Sequence, residues 1–272
     1  MDKKERLDVL LVKKGFFESR EQAKRAIMAG NVYADGERID KPGAKIKIDR
    51  EIIVKGEKQK YVGRGGYKLE KALEYFQLNI NDVVAIDIGA STGGFTDCML
   101  QHGARKVYAV DVGYNQLAWK LRNDDRVIVK ERYNFRHAKP EDFQDEQPCF
   151  ATIDVSFISL KLILPPLTKI IAENSCVVAL VKPQFEAGKE EVGKKGIVRN
   201  PKTHINVLHE IIEFSQKLGF SACGLTYSPI TGGDGNIEFL LLLKWTTKRL
   251  EKQINISPEA VVREAHRMLL QE

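Results

Sequence analysis

An alternation of apolar strand-like segments with helices over residues 83–245 is the feature that most constrains the fold of this chain. Strands are predicted at residues 83–88, 106–112, 127–130, 150–154, 176–182, 222–227 and 237–245, and helices at residues 93–102, 159–171 and 201–218. Strands that alternate with helices form a parallel sheet with helices on both faces, whereas two successive strands without a helix between them form an antiparallel pair. The pattern therefore predicts an α/β fold with a doubly wound, mainly parallel sheet of seven strands.

A glycine-rich turn follows the first predicted strand and reads Asp87-Ile88-Gly89-Ala90-Ser91-Thr92-Gly93-Gly94-Phe95. Glycine lets the backbone approach a ligand closely, and the helix after the turn offers free N–H groups in its first residues. The spacing differs from the G-x-G-x-x-G of dinucleotide sites. Asp111 closes the second predicted strand, 22 residues after Gly89, where an acid would accept hydrogen bonds from ribose hydroxyls. An unrelated tight turn is the alternative, but the turn combined with Asp111 favours a cofactor site.

Four charged residues lie where this fold forms its ligand crevice. Lys68 lies in a helix predicted at residues 67–76, Asp154 and Lys182 end the fourth and fifth predicted strands, and Glu238 lies in the last. The carboxyl ends of parallel strands line such a crevice. Plainer interpretations exist, because lysines are often solvated and an aspartate often caps a helix. Glu238 is harder to explain in that way, since an unpaired carboxylate in an apolar run is unstable.

The first 71 residues are basic, with 19 Lys and Arg against 12 Asp and Glu, whereas the whole chain has 43 against 37. A solvated charged surface would show the same excess, but a basic segment in front of a nearly neutral, enzyme-sized body indicates a polyanionic partner. Two helices are predicted in this segment at residues 5–14 and 19–29, with Ser19 as N-cap and Gln22 completing a capping box, and strands at residues 31–34 and 45–48.

The N-terminal segment resembles a small RNA-binding module that is named after a small-subunit ribosomal protein. The resemblance lies in Arg6-Leu7-Asp8, Ser19-Arg20-Glu21-Gln22-Ala23 and Ala29-Gly30-Asn31-Val32-Tyr33-Ala34-Asp35-Gly36, and it covers about 60 residues. It implies a small α+β RNA-binding domain that recognises RNA shape more than RNA sequence. The phosphate contacts that it implies are Arg6, Arg20, Lys24 and Arg25.

The rest of the chain resembles RNA ribose methyltransferases. The glycine turn matches the D-x-G-x-x-x-G-G of the heat-shock (FtsJ-like) group, and Lys68, Asp154, Lys182 and Glu238 match the Lys-Asp-Lys-Glu tetrad of RNA 2′-O-ribose methyltransferases. With YVGRGGYKL at residues 61–69 and DVSFISL at residues 154–160, the chain resembles the TlyA family from Arg6 to about Trp245. Members of that family are often labelled haemolysins and methylate ribosomal RNA at cytidine 2′-hydroxyls. Gly63 departs from the pattern, because a serine is expected there.

The resemblance implies a Rossmann-like methyltransferase sheet that binds S-adenosyl-L-methionine, and an rRNA (cytidine-2′-O)-methyltransferase activity. The catalytic residues that it implies are Lys68, Asp154, Lys182 and Glu238; the cofactor-binding residues are Asp87, Gly89, Ala90, Ser91, Gly93, Gly94, Asp111 and Asp154, and Arg64 is a further RNA contact. In this chemistry neutral Lys182 is the base for the ribose hydroxyl. The charge of Lys68 and partial burial would favour that neutral form, while the two carboxylates orient the lysines and the hydroxyl.

Other functional classes match the sequence less well. An amino-directed methyltransferase would carry D/N-P-P-Y/F after the fourth strand, where this chain has DVSF, and a cytosine C5 enzyme needs a cysteine after that strand, whereas Cys149 precedes it. A non-catalytic RNA-binding or ribosome-assembly factor stays open, and its discriminating property is failure to bind the cofactor. A membrane-active haemolysin is less consistent with the sequence, because no apolar run is long enough to span a bilayer.

The remaining expectations concern organisation and location. Four cysteines without a C-x-x-C pair and five histidines without a ligand pattern indicate reduced thiols and no metal site. The absence of a signal peptide predicts a cytoplasmic protein with no membrane partner, which acts on ribosomal RNA or ribosomal subunits. The predicted domains are an RNA-binding domain at residues 1–60, a linker at 61–66 and a methyltransferase domain at 67–272. The sequence does not indicate an oligomeric state.

Overall fold

The computed structural model describes residues 4–17, 19–55, 60–233, 235–246 and 256–270. The chain divides into two compact units, Met1–Gln59 and Lys60–Glu272. One hydrophobic cluster lies entirely in the first unit, and two further clusters lie in the second. Each unit therefore buries a core of its own, as is typical of domains.

The first unit consists of two short helices and two small sheets. Its helices are α1 (Leu7–Lys13) and α2 (Arg20–Met28), and its strands are β1 (Lys4–Arg6), β2 (Val32–Ala34), β3 (Glu37–Arg38), β4 (Lys45–Lys47) and β5 (Ile52–Val54). Strand β1 pairs antiparallel with β4, and β2 lies between β3 and β5. As the sequence predicts, Ser19 caps α2 by accepting a hydrogen bond from the backbone N–H of Gln22.

The predicted helix at residues 5–14 is wrong at its beginning. Lys4–Arg6 forms strand β1 instead, and α1 begins at Leu7. Leu7, Leu10 and Leu11 have the spacing of one face of a helix, and all three are buried in α1. Helical periodicity located the buried face correctly, but it could not show that the three preceding residues pair with β4.

The second unit contains the seven-stranded sheet. Its strands are β6 (Val84–Ile88), β7 (Lys106–Val110), β8 (Val127–Lys130), β9 (Phe150–Ile153), β10 (Cys176–Val181), β11 (Phe220–Tyr227) and β12 (Phe239–Trp245). The order across the sheet is β11-β12-β10-β9-β6-β7-β8, in which β12 runs antiparallel to both of its neighbours and the other pairs are parallel. This arrangement confirms the predicted doubly wound, mainly parallel methyltransferase sheet.

Helices cover both faces of this sheet. They are α3 (Gly65–Tyr75), α4 (Gly94–Gln101), α5 (Trp119–Arg122), α6 (Leu164–Leu167), α7 (Pro183–Glu186), α8 (Pro201–Lys217) and α9 (Pro258–Leu269). Buried side chains of α3 and α4 pack with one set of alternate strand residues, and those of α6, α8 and α9 pack with the other set. Because successive strand residues point to opposite faces, the two clusters lie on opposite sides of the sheet.

The predicted helix at residues 159–171 is wrong. A 3-10 turn at Leu160–Leu162 and the four-residue helix α6 take its place. Pro165 and Pro166 lie inside α6, and a proline has no N–H to continue helical hydrogen bonding and clashes with the preceding turn. The leucine and isoleucine spacing of this segment suits a helix, but a helix that begins at residue 159 cannot continue through the two prolines, which lie in the first turn of α6 instead.

Strand register brings four chain segments to one edge of the sheet. Ile88 of β6 pairs with Ile153 of β9, so the residues that follow these parallel strands leave the sheet side by side. Val181 of β10 pairs with Phe239 of antiparallel β12. The residue after β10 therefore lies at the same edge as the residue before β12, although 56 positions separate Lys182 from Glu238.

A pair of histidines joins α8 to α9 inside the second unit. His204 is fully buried, its Nε2 lies 3.1 Å from the carbonyl oxygen of Val198, and its Nδ1 lies 2.9 Å from Nε2 of His266. Since a carbonyl only accepts, Nε2 of His204 carries the hydrogen and Nδ1 accepts from His266. Burial lowers the pKa of His204 to about 4, so the folded protein holds it neutral.

We therefore expect His204 to make folding sensitive to mild acid. A folded-state pKa below the ordinary value means that the unfolded chain binds the proton first, so stability is lost as pH falls from about 7 towards 4. For a single histidine the loss between pH 7.5 and pH 5 is about 2 kcal/mol. The His204→Gln variant, which retains a donor for Val198, should lose correspondingly less stability over this interval in urea denaturation, whereas exposed His137→Gln should behave as wild type. Equal pH dependence in His204→Gln and wild type would contradict the assignment.

Candidate active site

An open cavity of about 410 Å³ lies at the carboxyl edge of the sheet. Its walls come from five segments of the second unit, at residues 64–68, 89–95, 154–157, 182–185 and 230–238. The segments at 89–95, 154–157 and 182–185 follow β6, β9 and β10, and residues 230–238 lead into β12. The cavity thus occupies the position where a doubly wound sheet binds its ligands.

The four residues predicted as a catalytic set come together in this cavity. Lys68 Nζ lies 2.5 Å from Oε2 of Glu238 and 3.9 Å from Oδ2 of Asp154, and Lys182 Nζ lies 2.6 Å from Oδ1 of Asp154. Lys68, Lys182 and Glu238 are each less than 10% exposed. The charges alternate, in the order Glu238, Lys68, Asp154, Lys182, so that every buried charge has an opposite neighbour. Asp154 lies between the two lysines and opposes the influence of one ammonium group on the other.

Lys182 is held by a second partner that the sequence interpretation missed. Its Nζ donates to Oγ of Ser156 at 3.0 Å, in addition to its contact with Asp154. Ser156 lies two residues after Asp154 in the DVSF segment, so the motif contained the residue, but spacing alone does not reveal which side chain reaches Lys182. The two contacts fix the position of the nitrogen at the cavity wall.

The glycine turn, residues 89–94, forms the part of the cavity wall that lies beside Asp154. Gly89, Ala90, Ser91 and Gly94 all line it, whereas Gly93 does not. Gly89 has φ +90°, and a Cβ there would lie 2.3 Å from the carbonyl oxygen of Asp154. Gly93 has φ +95°, and a Cβ there would lie 2.3 Å from Leu121. Both positions therefore require glycine, the first because strand ends approach closely and the second because of helix packing.

The two acids predicted beside the cofactor have different environments. Asp111 accepts hydrogen bonds from the backbone N–H groups of Ser91 and Gly113, both at 2.7 Å, and so ties the glycine turn to the end of β7. Neither acid lines the cavity itself: Asp111 lies behind Ser91, which does, and Asp87 is fully buried. Burial raises the pKa of Asp87 to about 7, against the hydrogen bonds that it accepts from the hydroxyls of Thr96 and Thr152. Asp87 therefore stabilises the turn by linking β6 to α4 and β9 through these two hydrogen bonds.

One wall of the cavity combines aromatic rings with a polar side chain. Phe157 is 90% exposed, adopts φ +62°, and its ring centroid lies 4.9 Å from that of Phe185. Gln184 also lines the cavity, and its Oε1 is buried without a hydrogen-bond partner. The sequence interpretation assigned no role to these three residues, because nothing in their spacing distinguishes them from core positions.

The predicted RNA contacts of the first unit are already involved in charge pairs. The carboxylate of Asp8 is fully buried, and it accepts hydrogen bonds from Arg6 Nε at 3.0 Å and from Arg20 Nη2 at 2.8 Å. These contacts, that of Arg6 first, hold the pKa of Asp8 well below its usual range. The side chains of Arg6 and Arg20 nevertheless stay about half exposed. Lys24 pairs with Glu21 at 2.6 Å, and Arg25 is exposed.

Arg64 and Gly63 lie in the segment that enters the cavity. Arg64 is exposed and lines the cavity at the beginning of α3. A Cβ at Gly63 would lie 2.6 Å from the hydroxyl of Thr92 in the glycine turn. The serine expected at position 63 would therefore displace Thr92, and glycine leaves it in place.

The described residues contain neither a membrane-spanning helix nor a metal-binding cluster. No helix there is long and apolar enough to cross a membrane. Within the same ranges, no group of three or more His, Cys, Asp and Glu side chains is arranged to hold a metal ion.

The chain matches two known protein families and several known relatives. The model of the FtsJ-like methyltransferase family matches residues 61–245, and that of the S4 domain matches residues 5–52. YqxC of Bacillus subtilis is 61% identical over 269 residues, which are 98% of this chain and 96% of YqxC. TlyA of Mycobacterium tuberculosis, named a 16S/23S rRNA (cytidine-2′-O)-methyltransferase, is 40% identical over 250 residues, which are 92% of this chain and 93% of TlyA.

A solved structure from Streptococcus thermophilus agrees with these matches. Its chain is 57% identical, each chain covers 98% of the other, and the TM-score is 0.76. The FtsJ-like family model spans well over half of this chain. The relatives from Bacillus subtilis and Mycobacterium tuberculosis align with this chain over nearly their whole length. The chain belongs to the FtsJ-like methyltransferase family, in the group that contains TlyA, and it carries an S4 domain in front of the methyltransferase domain.

Proposed function

We propose that this protein transfers a methyl group from S-adenosylmethionine to the 2′-hydroxyl of a cytidine in ribosomal RNA. The observation that carries the proposal is the alternating set Glu238, Lys68, Asp154 and Lys182, which shares one cavity with the glycine turn. Membership of the FtsJ-like family supports methyl transfer. The name of the Mycobacterium tuberculosis relative supports a cytidine 2′-hydroxyl of ribosomal RNA as the target.

The glycine turn fits S-adenosylmethionine. Gly89 lets the turn lie against the backbone of Asp154, so that both residues line the same cavity. Asp111 accepts two backbone N–H groups, and its carboxylate retains lone pairs for the two hydroxyls of a ribose. In the proposal Gly89, Ala90, Ser91, Gly94, Asp111 and Asp154 hold the cofactor, while Asp87 and Gly93 shape the turn. When bound, this cofactor supplies a methyl group on a positively charged sulfur.

Replacing Asp111 with alanine should weaken S-adenosylmethionine binding by about ten- to a hundredfold. The substitution removes both ribose contacts and releases the N–H groups of Ser91 and Gly113, and hydrogen bonds to a charged group contribute about 1.5–3 kcal/mol. Isothermal titration calorimetry measures the change. Asp125→Ala, at an exposed acid outside the cavity, is the matched control and should bind as wild type. Unchanged affinity in Asp111→Ala would exclude Asp111 from the cofactor site.

Lys182 is the proposed proton acceptor. In its neutral form Nζ would take the proton of the 2′-hydroxyl as the hydroxyl oxygen bonds to the methyl carbon, while the bond from that carbon to sulfur breaks and its electron pair stays on the sulfur. Asp154 and Ser156, at 2.6 and 3.0 Å, hold this nitrogen in position before and after it gains the proton. Asp154 also stabilises the ammonium ion that results. The group that accepts the proton is therefore oriented in advance.

Lys68 and Glu238 are the proposed orienting pair. Their contact of 2.5 Å is buried, and the backbone elements that carry them, α3 and the approach to β12, are both packed into the core. A ribose hydroxyl that enters between Lys68 and Lys182 meets a donor on one side and an acceptor on the other. The pair thereby aligns the hydroxyl with Lys182 without itself gaining or losing a proton.

The N-terminal domain is proposed to hold the RNA. In this division residues 1–60 bind RNA phosphates through Arg6, Arg20, Lys24 and Arg25, and residues 67–272 carry the reaction. The segment predicted as a linker, residues 61–66, packs with the second unit, because Tyr61 is buried in a hydrophobic cluster of that unit. Arg64 would contact the RNA at the mouth of the cavity, which it lines. The partner is ribosomal RNA or a ribosomal subunit, and a cytoplasmic location is part of the proposal because ribosomes are assembled there.

Alkaline hydrolysis tests the site of methylation. The purified protein is incubated with ribosomal RNA or subunits and with S-adenosylmethionine labelled in the methyl group, and the RNA is then hydrolysed in alkali. A 2′-O-methyl group blocks cleavage of the adjacent phosphodiester, so the label should appear in alkali-stable dinucleotides. Label in mononucleotides alone would show base methylation and refute the proposal, and absence of label would favour a non-catalytic RNA-binding factor.

A further inference from the structure

Gln184 presents an acceptor that the folded chain leaves unsatisfied. Its Oε1 is buried and has no hydrogen-bond partner, and no other buried side-chain nitrogen or oxygen is in this state within the described ranges. Nearly all buried polar atoms of folded proteins are hydrogen-bonded, because a buried acceptor without a donor is costly. The exception lies in the wall of the candidate active site, so a ligand of this cavity should supply the missing donor.

The position of Gln184 is fixed by its surroundings. It lies in α7, directly after β10 and two residues beyond Lys182. Glu186, in the same turn, accepts hydrogen bonds from the Ser159 hydroxyl at 2.5 Å and from the Leu160 N–H at 2.8 Å. These bonds fasten α7 to the segment that follows Phe157. The segment that carries Gln184 is therefore held in place, as the backbone of a residue that reads a ligand must be.

The topology assigns Gln184 to the target nucleotide. Asp111 and the glycine turn, which form the proposed cofactor site, follow β7 and β6, whereas Gln184 follows β10. Strand β9 separates β10 from β6, and β7 lies beyond β6. At about 4.8 Å between neighbouring strands, the end of β10 is about 14 Å from the end of β7. Gln184 thus belongs to the part of the cavity around Lys182, where the RNA hydroxyl reacts.

The atoms around Gln184 suit a nucleobase. Exposed Phe157 and half-buried Phe185 form an aromatic pair on the same wall, and single-stranded RNA bases stack on such rings. A cytosine against these rings carries a 4-amino group, which donates, whereas uracil carries an oxygen at the same position, which only accepts. In the orientation that the structure gives the Gln184 amide, Oε1 is the group without a partner, so it can accept a hydrogen bond from cytosine and would face an oxygen with uracil.

We infer that Gln184 selects cytidine over uridine at the target position, by accepting a hydrogen bond from the cytosine 4-amino group. This inference rests on the proposed function. Gln184 acts here as a specificity residue, because Lys182 and its partners need no contact with the base to methylate the ribose. Loss of the Gln184 acceptor should therefore change the ratio of kcat/KM between cytidine and uridine targets, and it should not change the affinity for the cofactor.

The test compares wild type with Gln184→Met on RNA targets that differ only in the target base. Methionine keeps the length of the side chain and removes the acceptor. Wild type should methylate the cytidine target at least about 30-fold faster, in kcat/KM, than the uridine target, and Gln184→Met should reduce this ratio to less than about threefold. A target with N4,N4-dimethylcytidine, which lacks the amino hydrogens, should be as poor for wild type as uridine.

Control measurements separate this role from others. Gln216→Met makes the same substitution at an exposed residue of α8, and it should retain the wild-type ratio. The affinity of Gln184→Met for S-adenosylmethionine should stay within about threefold of wild type, since a tenfold loss would mean that Oε1 serves the cofactor and would overturn the inference. An unchanged cytidine-to-uridine ratio in Gln184→Met would also overturn it, while the proposed function would stand. Failure of wild type to methylate either target would instead refute the proposed function itself.

Discussion

Replacement of Lys182 with methionine should lower kcat for methyl transfer to RNA by about a thousandfold or more, while S-adenosylmethionine affinity stays within about threefold of wild type. A positioned general base contributes about 10²–10⁴ in rate. Methionine retains the apolar stem that is buried beside Pro183, so the fold should persist. Asp154 keeps Lys68 at 3.9 Å as its remaining cationic neighbour.

Single-turnover kinetics on RNA and calorimetry with the cofactor separate the two effects. Lys169→Met is the matched control, because Lys169 is exposed and lies ahead of β10, at the opposite edge of the sheet from the cavity. It should retain wild-type kcat. A Lys182→Met enzyme with near-normal turnover would show that another group accepts the proton.

Removal of residues 1–58 should weaken RNA binding by roughly a hundredfold and leave S-adenosylmethionine binding intact. Residues 1–58 contain 15 Lys and Arg against 11 Asp and Glu, and phosphate contacts supply most of the affinity of such proteins for RNA. The second unit buries its own core and contains the whole cavity. RNA affinity is measured by filter binding at several salt concentrations. A truncated protein that binds RNA as tightly as the full chain would assign RNA recognition to the methyltransferase domain.

Point variants in the full chain test the same surface without deletion. Reversal of charge at Arg20 is unsuitable, because a second carboxylate beside buried Asp8 would destabilise the first unit. Lys24→Gln with Arg25→Gln removes two positive charges that do not contact Asp8. Each lost phosphate contact should lower the salt slope of RNA binding by about one unit.

The fold was largely predictable from the sequence because each element of the sheet carries its own pattern. Runs such as Cys176–Val181 are apolar throughout, as strands covered on both faces must be. The absence of a helix between residues 227 and 237 indicated the antiparallel pair, and β11 and β12 form it. These signals are local, so a single sequence suffices to interpret them.

The errors arose where helical periodicity was interrupted, once by a local helix breaker and once by a tertiary contact. Leucine spacing predicted a helix at residues 159–171, but a helix that begins at residue 159 cannot continue through Pro165 and Pro166. Lys4–Arg6 continued an apparent helix and instead pairs with β4, 39 or more residues away. In the first of the two N-terminal helices, Leu7, Leu10 and Leu11 are buried as their helical spacing indicates, and only the conformation of the residues before them differed.

The candidate site was predictable in its charged members and not in its neutral ones. Lys182 and Glu238 could be placed together because strand order brings the ends of β10 and β12 to one edge. Ser156 and Gln184 depend on where single side chains point, and periodicity contains no such information. Asp87 was expected among the cofactor residues, yet it lies buried beneath the turn with Thr96 and Thr152. A sequence motif identifies the segment, whereas the side of the backbone that a residue faces emerges only from packing.

Mass spectrometry of nucleosides tests the central claim most directly. Ribosomal RNA is incubated with S-adenosylmethionine and either wild type or Lys182→Met, digested to nucleosides, and analysed for every methylated product. The account predicts 2′-O-methylcytidine in the wild-type reaction and none above background with Lys182→Met. Methylation of a base, or of the ribose of another nucleoside in place of cytidine, would contradict it.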